Sequence, residues 1–222
     1  MEGSSNTGSP VRRSRGRPPR IDKAQAVAAA LAVLDAEGLD ALTMRRLATE
    51  LGVQVGTLYG YFADKPALLT EMAEQMLAGC ADPAPTGTWP EQAAELARRL
   101  RQALLRHRDG ARVYAGTHTT GPNTLTYANT FLGVLRQAGF TPVQAARASF
   151  TTIHFTLGHT LEEQAGEERR TEDLETLRRA LGGGDYPHLS LSAHIATTND
   201  FEAYFEFGLT SLLTGFANLL AP

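Results

Sequence analysis

From residue 21 onward, apolar positions recur at three- and four-residue spacing, and that spacing predicts helices throughout. Asp22 stands where a cap belongs, and Ala26, Val27, Ala30, Leu31 and Leu34 follow as one stripe closed by Gly38. Thr43 is placed to cap a short helix over 44–51, Gly52 to stop it, and a second short helix follows over 55–61. Asp64 then caps a longer helix to about residue 79, with Pro66 tolerated in its first turn. Beyond a Pro/Gly/Asp/Thr cluster at 81–88, helices are expected over 89–107, 109–114, 122–138, 142–166 and 201–220. Residues 167–200 are expected as a loop, its stretch from Gly182 to Asn199 holding at most one short helix near 189–196. No alternating strand of useful length and no internal repeat interrupts this pattern. The expected fold class is all-α.

The most informative stretch is 42–69. Leu42, Leu47, Leu51, Val53, Leu58 and Phe62 let two short helices lock at a steep angle, with Ala48 small at the contact and Gly52 free to make the turn. That arrangement is a helix-turn-helix, whose second helix lies in a major groove of DNA. Its outward residues are expected to be Gln54, Val55, Gly56, Thr57, Tyr59, Gly60 and Tyr61. Gly56 and Gly60 permit close approach, Thr57, Tyr59 and Tyr61 carry donors, and Val55 suits a thymine methyl. Thr43, Arg45 and Lys65 stand at helix starts, where backbone phosphates would be met.

The same stretch fits L-T-x-R-x-L-A-x-x-L-G-V-x-x-x-T-L-Y-x-(Y/H)-F/V-x-x-K-x-x-L-L, and it resembles the DNA-binding domain of the TetR family of bacterial repressors. HRDGARVYAGT at 107–117, QAGF at 137–140 and HFTLGHTLEEQ at 154–164 are similar to the regulatory core of that family's tetracycline-responsive members. Residues 1–20, low in hydrophobic residues and rich in Gly, Ser, Pro and Arg, are expected as a disordered basic arm outside the resemblance. The resemblance covers the rest and implies an N-terminal three-helix helix-turn-helix domain with a linking helix at 21–80 and a C-terminal helical ligand-binding and dimerisation domain at 81–222. It also implies a homodimeric repressor of double-stranded DNA that leaves a palindromic operator when a small-molecule effector binds.

Charge sharpens the division. The net charge of −3 is split, because residues 1–65 hold nine Lys/Arg against seven Asp/Glu while the remainder is acidic. Five arginines fall within residues 11–20. Arg15-Gly16-Arg17-Pro18 is similar to an AT-hook core, so Arg15 and Arg17 either enter a narrow minor groove or form a solvated charge run adding salt-dependent affinity. An architectural DNA-binding protein built on that arm is the alternative, but it leaves the acidic remainder unexplained.

In the resembling regulatory core, Ala81 and Tyr114 stand where histidines would hold a magnesium-chelated drug; Thr117 and Glu162 match metal-shell positions, and His118 replaces an arginine. A magnesium chelate is therefore not expected, nor is any metal site or cofactor. The expected effector is larger, flatter and largely apolar, such as an aromatic polyketide-like molecule. Its candidate contacts are Leu100, Tyr114, Thr117, His118, Phe131, Phe150, His154 and Glu162. Each has a competing ordinary role: Leu100, Phe131 and Phe150 as core, His154 as a satisfied core or interface histidine.

The last helices, 142–166 and 201–220, carry more apolar residues than one buried stripe needs, notably Phe205, Phe207, Leu209, Leu212, Leu213, Phe216 and Leu219, which predicts a four-helix dimer interface. No segment reaches the roughly 20 apolar residues of a membrane helix, and the first twenty residues lack the apolar centre of a signal peptide. With a lone Cys80, these features predict a cytoplasmic, nucleoid-associated protein with no membrane partner. No G-x-S-x-G, phosphate loop, dinucleotide fingerprint or H-E-x-x-H is present, so an enzyme is not expected.

Overall fold

The computed structural model describes residues 21–167, 171–183, 185–192 and 200–220, which form eleven helices and no strand. In chain order these are α1 (Lys23–Glu37), α2 (Met44–Glu50), α3 (Val55–Tyr59), α4 (Lys65–Met76), α5 (Trp89–Leu105), α6 (Gly110–Ala115), α7 (Pro122–Gln137), α8 (Pro142–Glu167), α9 (Thr171–Gly182), α10 (Pro187–Leu191) and α11 (Phe201–Ala217). The all-helical expectation holds. The arm, with Arg15 and Arg17, lies outside the described residues, as do residues 193–196 of the short helix expected at 189–196, whose first three residues fall within α10.

Local chemistry sets the first boundaries. Asp22 and Gln25 form a reciprocal capping box on α1, the Gln25 N–H donating to Asp22 Oδ1 at 2.7 Å and the Asp22 N–H to Gln25 Oε1 at 3.0 Å. Thr43 Oγ1 accepts the Arg46 N–H at 3.0 Å to start α2, and Asp64 Oδ1 accepts the Ala67 N–H at 2.8 Å to start α4. Between α2 and α3, Gly52 sits at φ +64°, a left-handed turn that a side chain would strain. Leu42, Leu47, Leu58 and Phe62 are buried as the sequence requires, so their hydrophobic burial fixes the short α3 against α2.

The larger helical body is built on α5, α7, α8 and α11, which pack on one another around Leu96, Leu100, Tyr127, Phe131, Phe205 and Leu209. The buried face of α8 carries Thr152, Thr156 and Thr160. Each of their hydroxyls donates to the carbonyl four residues back, at 2.9, 2.8 and 2.7 Å, so polar side chains lie buried without orphaned donors. Arg101 of α5 is buried, paired in parallel with both Glu163 oxygens at 2.8 Å and with Glu202, its guanidinium 4.8 Å from the centre of the Phe205 ring. One buried cation thereby joins α5, α8 and α11.

Helix α4 bridges the two bodies, packing against α1 on one side and against α6 and α7 on the other. Polar links reinforce the junction: Asp35 of α1 accepts the Arg108 N–H and meets His107 Nδ1, both at 3.1 Å, and Arg112 reaches Asp40 at 3.2 Å.

Helix α9 corrects the expectation of a loop over 167–200. Leu174, Leu177 and Leu181 form its apolar stripe, Glu172 and Asp173 occupy its first turn and Arg179 its last, charges that suit the helix dipole. Because its stripe is narrow and its other residues polar, the segment reads as solvated loop when judged by hydrophobic density alone.

Candidate nucleic-acid interface and core cavity

At the outer end of the first body, burial of Leu58 and Phe62 turns the rest of α3 outward. Gln54, Gly56, Thr57, Tyr59, Gly60 and Tyr61 are exposed, while Val55 is only half-exposed and packs against the core. Gln54 occupies the cap position of α3 without a side-chain cap bond, so its amide is not consumed by its own helix. Gly56 has no atom within 4 Å of where a Cβ would lie, so the folded chain itself makes no demand for glycine there. Tyr61 departs from the expectation of a free donor, because its hydroxyl donates to the Ile21 carbonyl at 2.5 Å and fastens the start of α1. Lys65 is likewise engaged, Nζ donating to the Leu39 carbonyl at 3.2 Å, although an ammonium keeps two further hydrogens.

Neighbouring arginines differ. Arg46 is bound by Glu37 at 2.6 Å and Glu50 at 2.9 Å, whereas the exposed Arg45 side chain has no hydrogen-bonding or ionic partner among the described residues. Thr43 is exposed, its oxygen occupied as a cap acceptor and its hydrogen available.

The second feature is a cavity of about 380 Å³ in the larger body. One wall is the α6 end and the loop after it, contributing Tyr114, Thr117, His118, Thr119 and Thr120, with Thr124 from the start of α7. The other comprises Tyr127 and Ala128 of α7 and Phe150, Ile153, His154 and Leu157 of α8. Phe150 and His154 lie stacked, ring centres 6.2 Å apart and 24° between planes. Burial pushes the Tyr114 phenol up from its usual range, which keeps it a neutral donor. Tyr127 is committed elsewhere, donating to the Leu96 carbonyl at 3.0 Å.

Of the eight expected contacts, Tyr114, Thr117, His118, Phe150 and His154 meet around this cavity. The other three do not. Leu100 and Phe131 are fully buried in the packed core, and Glu162 is exposed on α8. The helical spacing of Leu100 and Phe131 fitted core as well as pocket, and core is where burial put them. Thr119, Thr120, Thr124, Ala128, Ile153 and Leu157 were not expected; the run Thr117-His118-Thr119-Thr120 ahead of Gly121-Pro122 was the legible signal for the rim.

A wider cleft of about 960 Å³ opens between residues 83–87, α5 and α11, but its arginines are already matched: Arg98 with Glu206 at 2.7 Å and Arg99 with Glu95 at 2.8 Å. Apolar surface also stands out on α8 and α11, where Phe150 is 60% and Phe207 78% exposed. Among the described residues no helix is long and apolar enough to cross a membrane.

Residues 26–72 match the tetR family of bacterial regulatory proteins, and residues 82–220 match the tetracyclin repressor-like C-terminal domain. The class G tetracycline repressor protein of Vibrio anguillarum is 37% identical over 206 residues, 91% of this chain and 96% of its own. A structure from Streptomyces coelicolor A3(2), described as a possible TetR family transcriptional regulator, has 53% identity and a TM-score of 0.84, covering 89% of this chain and 100% of its own. ActR of Streptomyces coelicolor, solved in complex with actinorhodin, has 31% identity and a TM-score of 0.83, covering 91% of this chain and 100% of its own. The helix-turn-helix, the helical body behind it and these matches along nearly the whole chain agree: it belongs to the TetR family of bacterial regulatory proteins and is a DNA-binding transcriptional repressor, not an enzyme.

Proposed function

We propose that this repressor binds a palindromic operator as a homodimer and is released by a small, largely apolar, aromatic molecule that enters the core cavity. On this reading residues 21–80 are the DNA-binding unit and residues 81–222 the effector-binding and dimerising unit. Gln54, Val55, Gly56, Thr57, Tyr59 and Gly60 face base edges or the groove wall, and Thr43, Arg45 and Lys65 meet phosphates, while Tyr61 holds α3 to α1. Arg15 and Arg17 of the arm add minor-groove contacts. Family membership leaves the architectural reading of the arm without support.

The observation that carries this reading is that α4 links the two features, packing on α1 of the reading domain and on α6 and α7, which contribute to the cavity wall. A ligand that binds the non-reading arrangement more tightly then shifts the pair of reading helices away from the 34–36 Å spacing of successive major grooves. The cavity favours a planar aromatic ligand, since Phe150 and His154 offer stacked ring faces and Leu157, Ile153 and Ala128 an apolar floor. Tyr114 and the threonines offer donors to its oxygens. Among the described residues two imidazoles but no carboxylate line it, a poor set for a hard cation. ActR, a relative, was solved in complex with actinorhodin, which makes that compound one of the first to try. Phe150 and Phe207, exposed on the packed pair α8 and α11, supply the apolar face a second copy would cover.

Selection of bound duplexes from a random pool, repeated with planar aromatic polyketides present, tests this directly. A two-fold symmetric site that disappears on adding one such compound is the expected result. A strictly monomeric chain that enriches no duplex at low salt would overturn the reading.

A further inference from the structure

One carboxylate fastens the cavity rim to the helix that carries the reading domain. Glu74, in the last turn of α4, accepts the Thr119 hydroxyl at 3.0 Å and the Thr124 hydroxyl at 2.7 Å. It also accepts the Thr124 N–H at 3.2 Å and the Asn123 N–H, while the Asn123 side-chain amide donates to the Glu74 carbonyl at 3.1 Å. Helix α7 is therefore capped from a different helix: its own cap residue, Gly121, has no side chain to offer. A methyl group on Gly121 would lie 2.4 Å from the Glu74 carboxyl carbon, so the carboxylate occupies the space the glycine leaves. Desolvation raises the Glu74 carboxyl, but hydrogen bonds from Thr124, Asn123 and Thr119 outweigh it and hold the group below the usual carboxylate range.

Thr119 and Thr124 also line the cavity. A threonine hydroxyl has one hydrogen to give, so it serves Glu74 or a ligand oxygen, not both. The geometry points to Glu74 as the positioning residue that couples cavity to DNA, by competing with a bound effector for the hydroxyl hydrogens of Thr119 and Thr124. The carboxylate accepts four hydrogen bonds, from the Thr119 and Thr124 hydroxyls and the Asn123 and Thr124 N–H groups, and these hold α4 against the start of α7. An effector bearing a carbonyl or phenolate oxygen at the rim withdraws one or both hydroxyls. With both withdrawn, the Glu74 carboxylate keeps only the Asn123 and Thr124 N–H donors, and its carbonyl keeps the Asn123 side-chain amide. Because α4 follows α3 after the short 60–64 turn, loosening it moves the reading helix. This inference rests on the function proposed above and adds to it both the residue and the ligand group through which release works.

Linkage is reciprocal, so the test needs no effector: if the rim is coupled to DNA, a bound duplex must tighten the rim. Amide hydrogen exchange is followed in the full-length protein with and without the selected operator duplex. In the wild type the duplex is expected to slow exchange at the Asn123 and Thr124 amides by about fivefold or more, the lower end of ordinary coupling between linked sites. Glu74→Ala should abolish that response, and Thr119→Val/Thr124→Val, which leaves α4 untouched, should at least halve it, both while still binding duplex. If Glu74→Ala fails to fold, the threonine pair decides. A wild-type rim indifferent to bound duplex, or variants that respond as the wild type does, would overturn the coupling and leave DNA binding standing. A wild type that binds no duplex would instead remove the reading on which the coupling rests.

Discussion

Asp109 and Leu39 stand seventy residues apart in the chain, yet the Asp109 carboxylate accepts the Leu39 N–H at 2.8 Å. The hydrogen bond joins the start of α6, in the effector body, to the turn after α1 in the reading domain. Asp109 makes it from φ 56°, a left-handed conformation that aspartate and asparagine tolerate better than most residues, with Arg112 steadying its other oxygen at 2.9 Å. Asp109→Ala should therefore cost about 2–4 kcal/mol, combining the loss of a hydrogen bond to a charged group with backbone strain. Asp109→Asn, which keeps the turn preference and an acceptor, should lose less than half of that. Urea unfolding of both variants measures the difference, and equal losses would refute this division of roles.

The buried cation makes a second prediction. Arg101→Ala leaves Glu163 buried without its partner and should destabilise by about 3–5 kcal/mol. Replacing both members, as Arg101→Met/Glu163→Leu, should recover most of that loss because no buried charge is stranded. A double variant as weak as the single one would show that the pair contributes through something other than charge matching.

Two pH windows follow from the ionisable groups. Burial lowers His159 below its ordinary 6.5, against the opposing hydrogen bond to the Phe201 carbonyl at 2.9 Å. A depressed histidine contributes stability that is fully present above the unfolded value and is lost as pH falls from about 6.5 through the folded one. Glu74 and Asp109, also depressed, act lower, their stability lost as pH falls from about 4 through their folded values. Unfolding free energy measured from pH 8 to 3 should thus fall in two stages, and His159→Asn should flatten only the first. A first stage unchanged in that variant would mean another group produces it.

Much of this was legible before the fold was known, and the reasons are local. Asp22, Thr43 and Asp64 announce helix starts through short-range hydrogen bonds, and Leu42, Leu47, Leu58 and Phe62 announce a core by spacing alone. The cavity was harder. Phe150 and Phe131 carry the same residue type at helical spacing, yet one lines the cavity and the other fills the core, because long-range packing decides which face of a helix meets which neighbour. Tyr61 illustrates the same limit at the reading surface: nothing in 42–69 signals that its hydroxyl belongs to Ile21. Glu74 gives no sign of its role in the sequence, since that role depends on residues forty-five to fifty positions later.

At the reading surface, Arg45 and Thr57 should fail differently. Arg45→Ala removes an exposed cation that has no partner among the described residues, so binding should weaken to a similar degree on every duplex and the salt slope should fall by about one for each phosphate no longer neutralised. Thr57→Ala, on the exposed face of α3, should cost about 1–3 kcal/mol on the selected operator and little on random DNA. Fluorescence anisotropy across a salt series separates the two behaviours. Reversed behaviours would mean that α3 is turned the other way in the groove.

Filling the cavity should uncouple release from binding. Ala128 lines it from α7 without being part of the reading domain, so Ala128→Phe places a ring where the proposed effector lies. Some overpacking cost, about 1–3 kcal/mol, is expected because the added ring must displace neighbours. Operator affinity should stay within about fivefold, since less than about 1 kcal/mol of that strain should reach the reading helices. An aromatic compound that stabilises the wild type by about 2.7 kcal/mol at 100 times its dissociation constant should leave the variant's melting temperature unmoved. The variant should then repress whether or not the compound is present. Should the compound still stabilise Ala128→Phe and still release its operator, the ligand must bind elsewhere, and the 960 Å³ cleft beside α11 would be the next place to look.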